Sequence, residues 1–275
     1  MLPQPSRTAW GVALRRAAHQ TQDAPLVFAD RLALRITGGE WRPRAGEPEA
    51  VSRMFRAFMA VRSRFAEDEL ARAVEAGARQ YVILGAGLDT LAYRNPYAEV
   101  NVFEVDHPAT QEWKKQLLAR AEIAIPPNMK FAPVDFERES LAEKLRQAGL
   151  KEAPAFFSWL GVTPYLTRAA FDATLAFIAA QPAGSGVVFD YCVPPSSMKE
   201  MQRRAFEALA ERVAQIGEPF RLFLSPSEIE AHLRRLGFAQ IEDLNGDAIN
   251  ERYFHSRADG LGVRGGAGRL LSAFR

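Results

Sequence analysis

The chain has 275 residues, 48% hydrophobic and 25% charged, proportions that exclude wholesale disorder and low-complexity architectures. Its 35 basic and 33 acidic side chains leave a net charge of +2, which gives no electrostatic basis for binding nucleic acid or an anionic membrane. The single cysteine, Cys192, excludes an internal disulfide and any multi-cysteine metal site. No apolar run reaches the roughly 18–20 residues of a membrane span, and the N-terminus has no signal-peptide core. A soluble, cytoplasmic protein is expected.

Residues 1–60 read as helical and irregular. Arg7 to His19 can wind as one helix, and Asp23-Ala24-Pro25 interrupts it because a proline disfavours helix at the preceding residue. A second helix is predicted over Leu26 to Ile36, followed by a loop marked by Gly38, Gly39, Pro43, Gly46 and Pro48. Met54, Phe55, Phe58, Val61 and Phe65 then recur at helical spacing with one buried face. From Arg79 onward, short β-branched runs alternate with helical stretches. Strands are predicted at Tyr81–Leu84, Val100–Val105, Met129–Val134, Ala155–Trp159, Gly186–Tyr191 and Phe238–Leu244. Helices fall at Thr110–Ile123, Ser140–Ala148, Arg168–Ala180, within 196–216, and after Ser225-Pro226. Strands apolar on both faces and separated by helices indicate a doubly wound, mostly parallel sheet in an α/β domain. The glycine-rich tail from Asp259 to Gly268 reads as loop. The expected division is a helical cap over 1–60 and a catalytic domain over 61–275, with a helical insertion near 192–218.

Three strand ends carry the chemistry. The first strand runs into Gly85-Ala86-Gly87, a tight turn where a ligand can approach backbone without Cβ atoms in the way. Asp106 ends the second strand, nineteen residues after Gly87, where a carboxylate can accept from ribose hydroxyls. Glu104 shares its face and is the alternative. Asp135 follows the third strand, beside the adenine position of such a fold, with Phe136 next to it. Tyr165 and Tyr191 follow the fourth strand and end the fifth, where a substrate would enter. His19, His107, His232 and His255 are too dispersed to suggest a metal, and no metal site is expected.

The blocks LGAGLDTLAYR, FEVDHP, VDFE, WLGVTPYLT and VVFDY together resemble the class I S-adenosylmethionine-dependent methyltransferases. More narrowly, they resemble the leucine carboxyl methyltransferase family and its bacterial polyketide-type O-methyltransferase branch. The resemblance implies a seven-stranded Rossmann-like sheet and S-adenosylmethionine as cofactor, with S-adenosylhomocysteine as product. It implies that Gly85 and Gly87 lie against the methionyl part, Asp106 holds the ribose, and Asp135 and Phe136 flank the adenine. Arg62 would pair with the cofactor carboxylate, and Ala86 and Trp159 complete the implied cofactor set. Where phosphatase-methylating members carry a glutamate in the fourth-strand motif, this chain has Leu160, which speaks for a small-molecule acceptor over a protein.

A carboxylate nucleophile is already ionised at neutral pH, whereas a phenol with a pKa near 10 needs a base. No base motif is legible, so the expected reaction is O-methylation of a carboxylate, or a phenol, on a small metabolite. An NAD(P)-dependent oxidoreductase would share the glycine turn and ribose acid. Against it stand Thr90, in place of a third glycine, and the absence of a Tyr-x-x-x-Lys pair. A non-enzymatic S-adenosylmethionine-binding protein is the third reading.

Overall fold

β-Branched and aromatic residues set the sheet before anything else does. In the computed structural model, which describes residues 7–39, 49–135, 138–215 and 217–275, seven strands form one sheet. They are β1 (Gln80–Leu84), β2 (Asn101–Asp106), β3 (Met129–Pro133), β4 (Ala155–Trp159), β5 (Gly186–Cys192), β6 (Gln240–Leu244) and β7 (Gly268–Phe274). Their order is β3-β2-β1-β4-β5-β7-β6, with β7 antiparallel to both its neighbours and the first five parallel. The order reverses between β1 and β4, which is where ligands bind in open α/β sheets, outside the carboxyl ends of the strands.

Both faces of the central strands are buried. Val82, Leu84, Phe103, Phe157, Val187 and Phe189 pack on one side, and Tyr81, Ile83, Val102, Phe156 and Val188 on the other. Period-two alternation thus fills two cores from one set of strands. The covering helices include α4 (Pro108–Arg120), α5 (Leu141–Ala148), α6 (Arg168–Ala179), α7 (Glu200–Gln215), α8 (Pro226–Arg235) and α9 (Gly246–Tyr253). Ser140, Thr167 and Ser225 cap α5, α6 and α8 by accepting the amides of Glu143, Ala170 and Glu228.

Ahead of the sheet come α1 (Arg7–Gln22), α2 (Arg31–Ile36) and α3 (Glu49–Glu75). The helix expected over Leu26–Ile36 is shorter than its sequence suggested. The amides of Val27 and Phe28 donate to His19 Nε2, at 3.1 and 3.3 Å, and Asp30 starts α2 by accepting from the Ala33 amide at 3.1 Å. Donors already bound to a side chain cannot build a helical turn. The glycine-rich tail is loop up to residue 267, as expected, but the expected elements lack the strand that follows it, because β7 enters the sheet between β5 and β6 from Gly268. Its run RLLSAF offers little pattern of its own, and the ladders on both sides supply its order. The helix α9 has no counterpart in the expected elements and is capped by Asn245. The expected boundary at 60/61 falls inside α3.

Asp30 joins these pieces. It is fully buried and accepts from Arg16 Nε at 3.0 Å and Thr90 Oγ1 at 2.7 Å, while Arg16 also donates to the Leu88 carbonyl at 2.6 Å. One carboxylate therefore ties α1 and α2 to the loop that follows β1. Removing one partner of a buried ion pair strands the other charge, at a cost of about 3–5 kcal/mol. Asp30→Ala is expected to lower unfolding free energy by that amount in chemical denaturation, whereas Glu230→Ala, in an exposed pair with Arg234, changes it by less than about 1 kcal/mol.

Candidate active site

The turn after β1 is built by two glycines in left-handed backbone, Gly85 at φ 66° and Gly87 at φ 46°. A Cβ on Gly85 would lie 2.3 Å from Val162 Cγ2, and one on Gly87 would lie 3.1 Å from the Ala9 Cβ. The glycines thus admit neighbouring chain as well as ligand. At the end of β2, Asp106 accepts the amides of Gly87 at 2.6 Å and His107 at 2.7 Å. Burial pushes its carboxyl up and the two amides pull it back. A carboxylate offers about four lone-pair positions, so two remain for hydroxyl donors.

Glu104, two residues earlier, has another task. It is fully buried against Lys114 of α4, 2.7 Å away, and accepts from the Tyr93 hydroxyl at 3.1 Å. Burial raises its carboxyl to about 7 despite the lysine. It is a structural ion pair under the site, with one carboxylate oxygen held by Lys114 and Tyr93, whereas Asp106 stands at the strand end.

A cavity of about 370 Å³ opens over this edge, lined by Gly85, Ala86, Gly87, Asp106, Arg62 and Tyr165 among others. Beside it lies a second cavity of about 280 Å³, walled by Met54, Phe55, Phe58, Phe206, Leu209 and Phe220. Thr8, Val12, Arg62, Gly161 and Tyr165 line both, so the two chambers adjoin at these residues. The walls of the apolar chamber come mainly from α1, α3, α7 and the chain before β7. Of the apolar residues that could have walled such a pocket, Trp10 instead packs on Trp113, at 5.8 Å between rings, and Met201 is 84% exposed.

Arg62 sits at the junction. It projects from α3, is 6% exposed, and donates to Asp190 Oδ2 at 3.2 Å. Its Nε is buried with no hydrogen-bond partner among the described residues. A donor left unsatisfied in a buried place is costly, and an anionic ligand would satisfy it. The guanidinium lies over Gly161, where a Cβ would come within 2.8 Å of it.

The structure brings Arg62, Gly85, Ala86, Gly87, Asp106 and Tyr165 to one place. Asp135 lies past β3 at the same sheet edge, but it is not among the described residues lining either cavity, and Arg138 is 3.8 Å from it. Phe136 falls outside the described residues. Trp159 is fully buried away from the cavities, stacked on Phe171 at 5.3 Å, because strand alternation turns it into the opposite core. Tyr191 is likewise turned away, and its hydroxyl donates to Asp243 at 2.7 Å. Asp190 and Cys192, its neighbours in β5, face the apolar chamber instead. Burial pushes the Cys192 thiol up to about 12, which leaves almost no thiolate at neutral pH. Asp190 is a further functional candidate, whose sequence signal is the acid within the VVFDY block. Among the described residues no cluster of side chains could hold a metal ion.

The family model for leucine carboxyl methyltransferase matches residues 9–179. The chain belongs to that family. YktD of Bacillus subtilis (strain 168), whose name provisionally makes it an S-adenosyl-L-methionine-dependent methyltransferase, is 38% identical over 203 residues, 73% of this chain and 67% of YktD. A similarly named protein of Parafrankia sp. (strain EAN1pec) is 39% identical over 125 residues, 44% of this chain and 40% of its own length. One from Mycolicibacterium paratuberculosis is 33% identical over 236 residues, 78% and 73% of the two chains. Two solved structures share the fold. A provisionally named methyltransferase from Thermobifida fusca YX gives a TM-score of 0.59 at 17% identity, covering 99% of this chain and 95% of its own. Magnesium protoporphyrin IX methyltransferase from Synechocystis PCC 6803, solved with S-adenosylhomocysteine bound, gives 0.53 at 13%, covering 88% and 91%. This leucine carboxyl methyltransferase family member is an S-adenosylmethionine-dependent enzyme, and the oxidoreductase and non-enzymatic alternatives fall away.

If Asp106 holds the ribose, loss of its carboxylate removes acceptors for two hydroxyl donors, worth roughly 1.5–3 kcal/mol for hydrogen bonds to a charged group. Asp106→Ala should therefore weaken S-adenosylhomocysteine binding about ten- to a hundredfold by calorimetry on folded protein. Unchanged affinity would place the ribose elsewhere.

Proposed function

We propose that this methyltransferase transfers the methyl group to a carboxylate of a small, largely apolar metabolite, with the polyketide-type acids of its branch as the expected class. The observation that carries this reading is the apolar chamber, which adjoins the glycine-turn chamber at Arg62 and has no poised base among the described residues of its wall. Each ionisable group there that could take a proton is occupied or unsuited. Asp190 already accepts from Gly161 and Arg62, burial raises Tyr165 and Cys192, and the other charges among the described wall residues are the arginines at 15, 212 and 264. Arginines favour an anionic acceptor, which needs no base.

S-Adenosylmethionine supplies an electrophilic methyl on a sulfonium. In this reading the Gly85–Gly87 turn lies against its methionyl part, Asp106 accepts from its ribose, and Arg62 pairs with its carboxylate. Asp135 and Phe136 remain the proposed neighbours of the adenine. The protein's contribution is then to hold donor and nucleophile close, in line and away from water. Residues 1–60 and 192–218 act as the cap that excludes water, helped by the segment before β7.

Methyl-labelled cofactor and a panel of apolar carboxylic acids, phenols and amines test this. The label should enter a methyl ester, released as methanol by mild base. The rate should stay flat between about pH 6 and 9, since the acceptor is ionised throughout. A base-stable product, or a rate climbing towards the phenol pKa near 10, would show a hydroxyl acceptor instead.

A further inference from the structure

We infer that Asp190 is a positioning residue that aims Arg62 at the cofactor's carboxylate. The inference rests on the proposed pairing of Arg62 with that carboxylate. Asp190 comes from β5 and Arg62 from α3. The carboxylate is fixed before Arg62 reaches it. Its Oδ1 accepts the Gly161 amide, and the backbone carbonyl of Asp190 accepts from Thr163 Oγ1. Both anchors belong to the loop after β4, which also lines the cofactor chamber.

Arg62 in turn leans on this fixed group by one nitrogen only, at 3.2 Å, instead of making a two-pronged pair. Its Nε is buried and unpartnered among the described residues, so it remains a donor that an anion could satisfy. Gly161 allows the arrangement, because any side chain there would occupy the guanidinium's place. A carboxylate engaged on both oxygens is poorly suited to take a proton from an acceptor, so positioning fits Asp190 better than base catalysis.

Asparagine at 190 makes the idea testable. The Gly161 amide needs an acceptor, so the amide oxygen would turn towards it and the NH2 group towards Arg62. Two donors would then face each other, and the guanidinium would be pushed out of aim. The readout is calorimetric affinity for S-adenosylmethionine and for decarboxylated S-adenosylmethionine, which lacks only the carboxylate. Asp190→Asn should weaken the first about tenfold and leave the second within about twofold. In an Arg62→Ala background, Asp190→Asn should add nothing further. If Asp190→Asn does not fold, Asp190→Ser keeps an acceptor in a smaller side chain and carries the same comparison.

Equal or tighter binding of S-adenosylmethionine by folded Asp190→Asn, with Arg62→Ala still weakened, overturns the positioning role alone. Equal binding of the two ligands by wild type and Arg62→Ala alike overturns the underlying pairing. A fall in affinity for both ligands would make Asp190 a merely structural residue.

Discussion

The Asp30 carboxylate, shielded from water and shared by Arg16, Thr90 and the start of α2, is the constraint on which the site depends. The sheet could form without it, since β1 to β5 bury apolar side chains on both faces. The site could not. Both cavities take wall residues from α1, and α1 is held to the glycine loop through Arg16, which reaches Asp30 and the Leu88 carbonyl. Thr90 stands where a dinucleotide-binding turn would continue with glycine, and its hydroxyl is committed to Asp30. A residue that looked like a departure from a cofactor motif is an attachment point for α1 and α2.

A second buried acid repeats this logic nearby. Asp23 accepts from Arg56 Nε at 2.7 Å and is paired with His19 Nδ1 at 2.8 Å, locking α1 against α3. The arginine and histidine partners hold the Asp23 carboxyl below its ordinary value even though burial opposes them. With α1 and α3 fixed together, Arg62 on α3 meets β5 at a set depth. The site is thus assembled from helices outside the αβ alternation, joined to it by charges taken out of water in pairs. Pairs of this kind contribute little net stability over apolar packing, but removing one member is costly. Here they join α1, α2 and α3 to one another and to the loop after β1.

The sequence made the fold legible wherever a strand was apolar on both faces, because continuous β-branched runs between capped helices have few other readings. It failed at β7, whose order comes from partners distant in sequence, and at residues 27 and 28, whose amides bind a histidine ring eight or more positions away. In the site, Gly85, Gly87 and Asp106 were legible because backbone geometry and strand ends put those residue types there. Trp159 and Tyr191 were misplaced for one reason: alternation says that neighbours face opposite ways but not which face holds the ligand. Once Asp190 is seen to meet Arg62, the neighbouring Tyr191 must point into the other core. Glu104 illustrates the same limit, since its buried partner Lys114 sits ten residues on, in a helix whose rotation the sequence leaves open.

In the proposed function two adjoining chambers form one site, the cofactor in the glycine-turn chamber and the acceptor in the apolar one. Leu209 of α7 lines only the apolar chamber, which makes it the place to separate the two. The most direct measurement is S-adenosylhomocysteine affinity and methyl transfer to the best acceptor, both made on Leu209→Trp. Filling the chamber should cut transfer about tenfold or more while affinity stays within about twofold of wild type. Undiminished transfer would contradict the account, because the acceptor would then bind elsewhere.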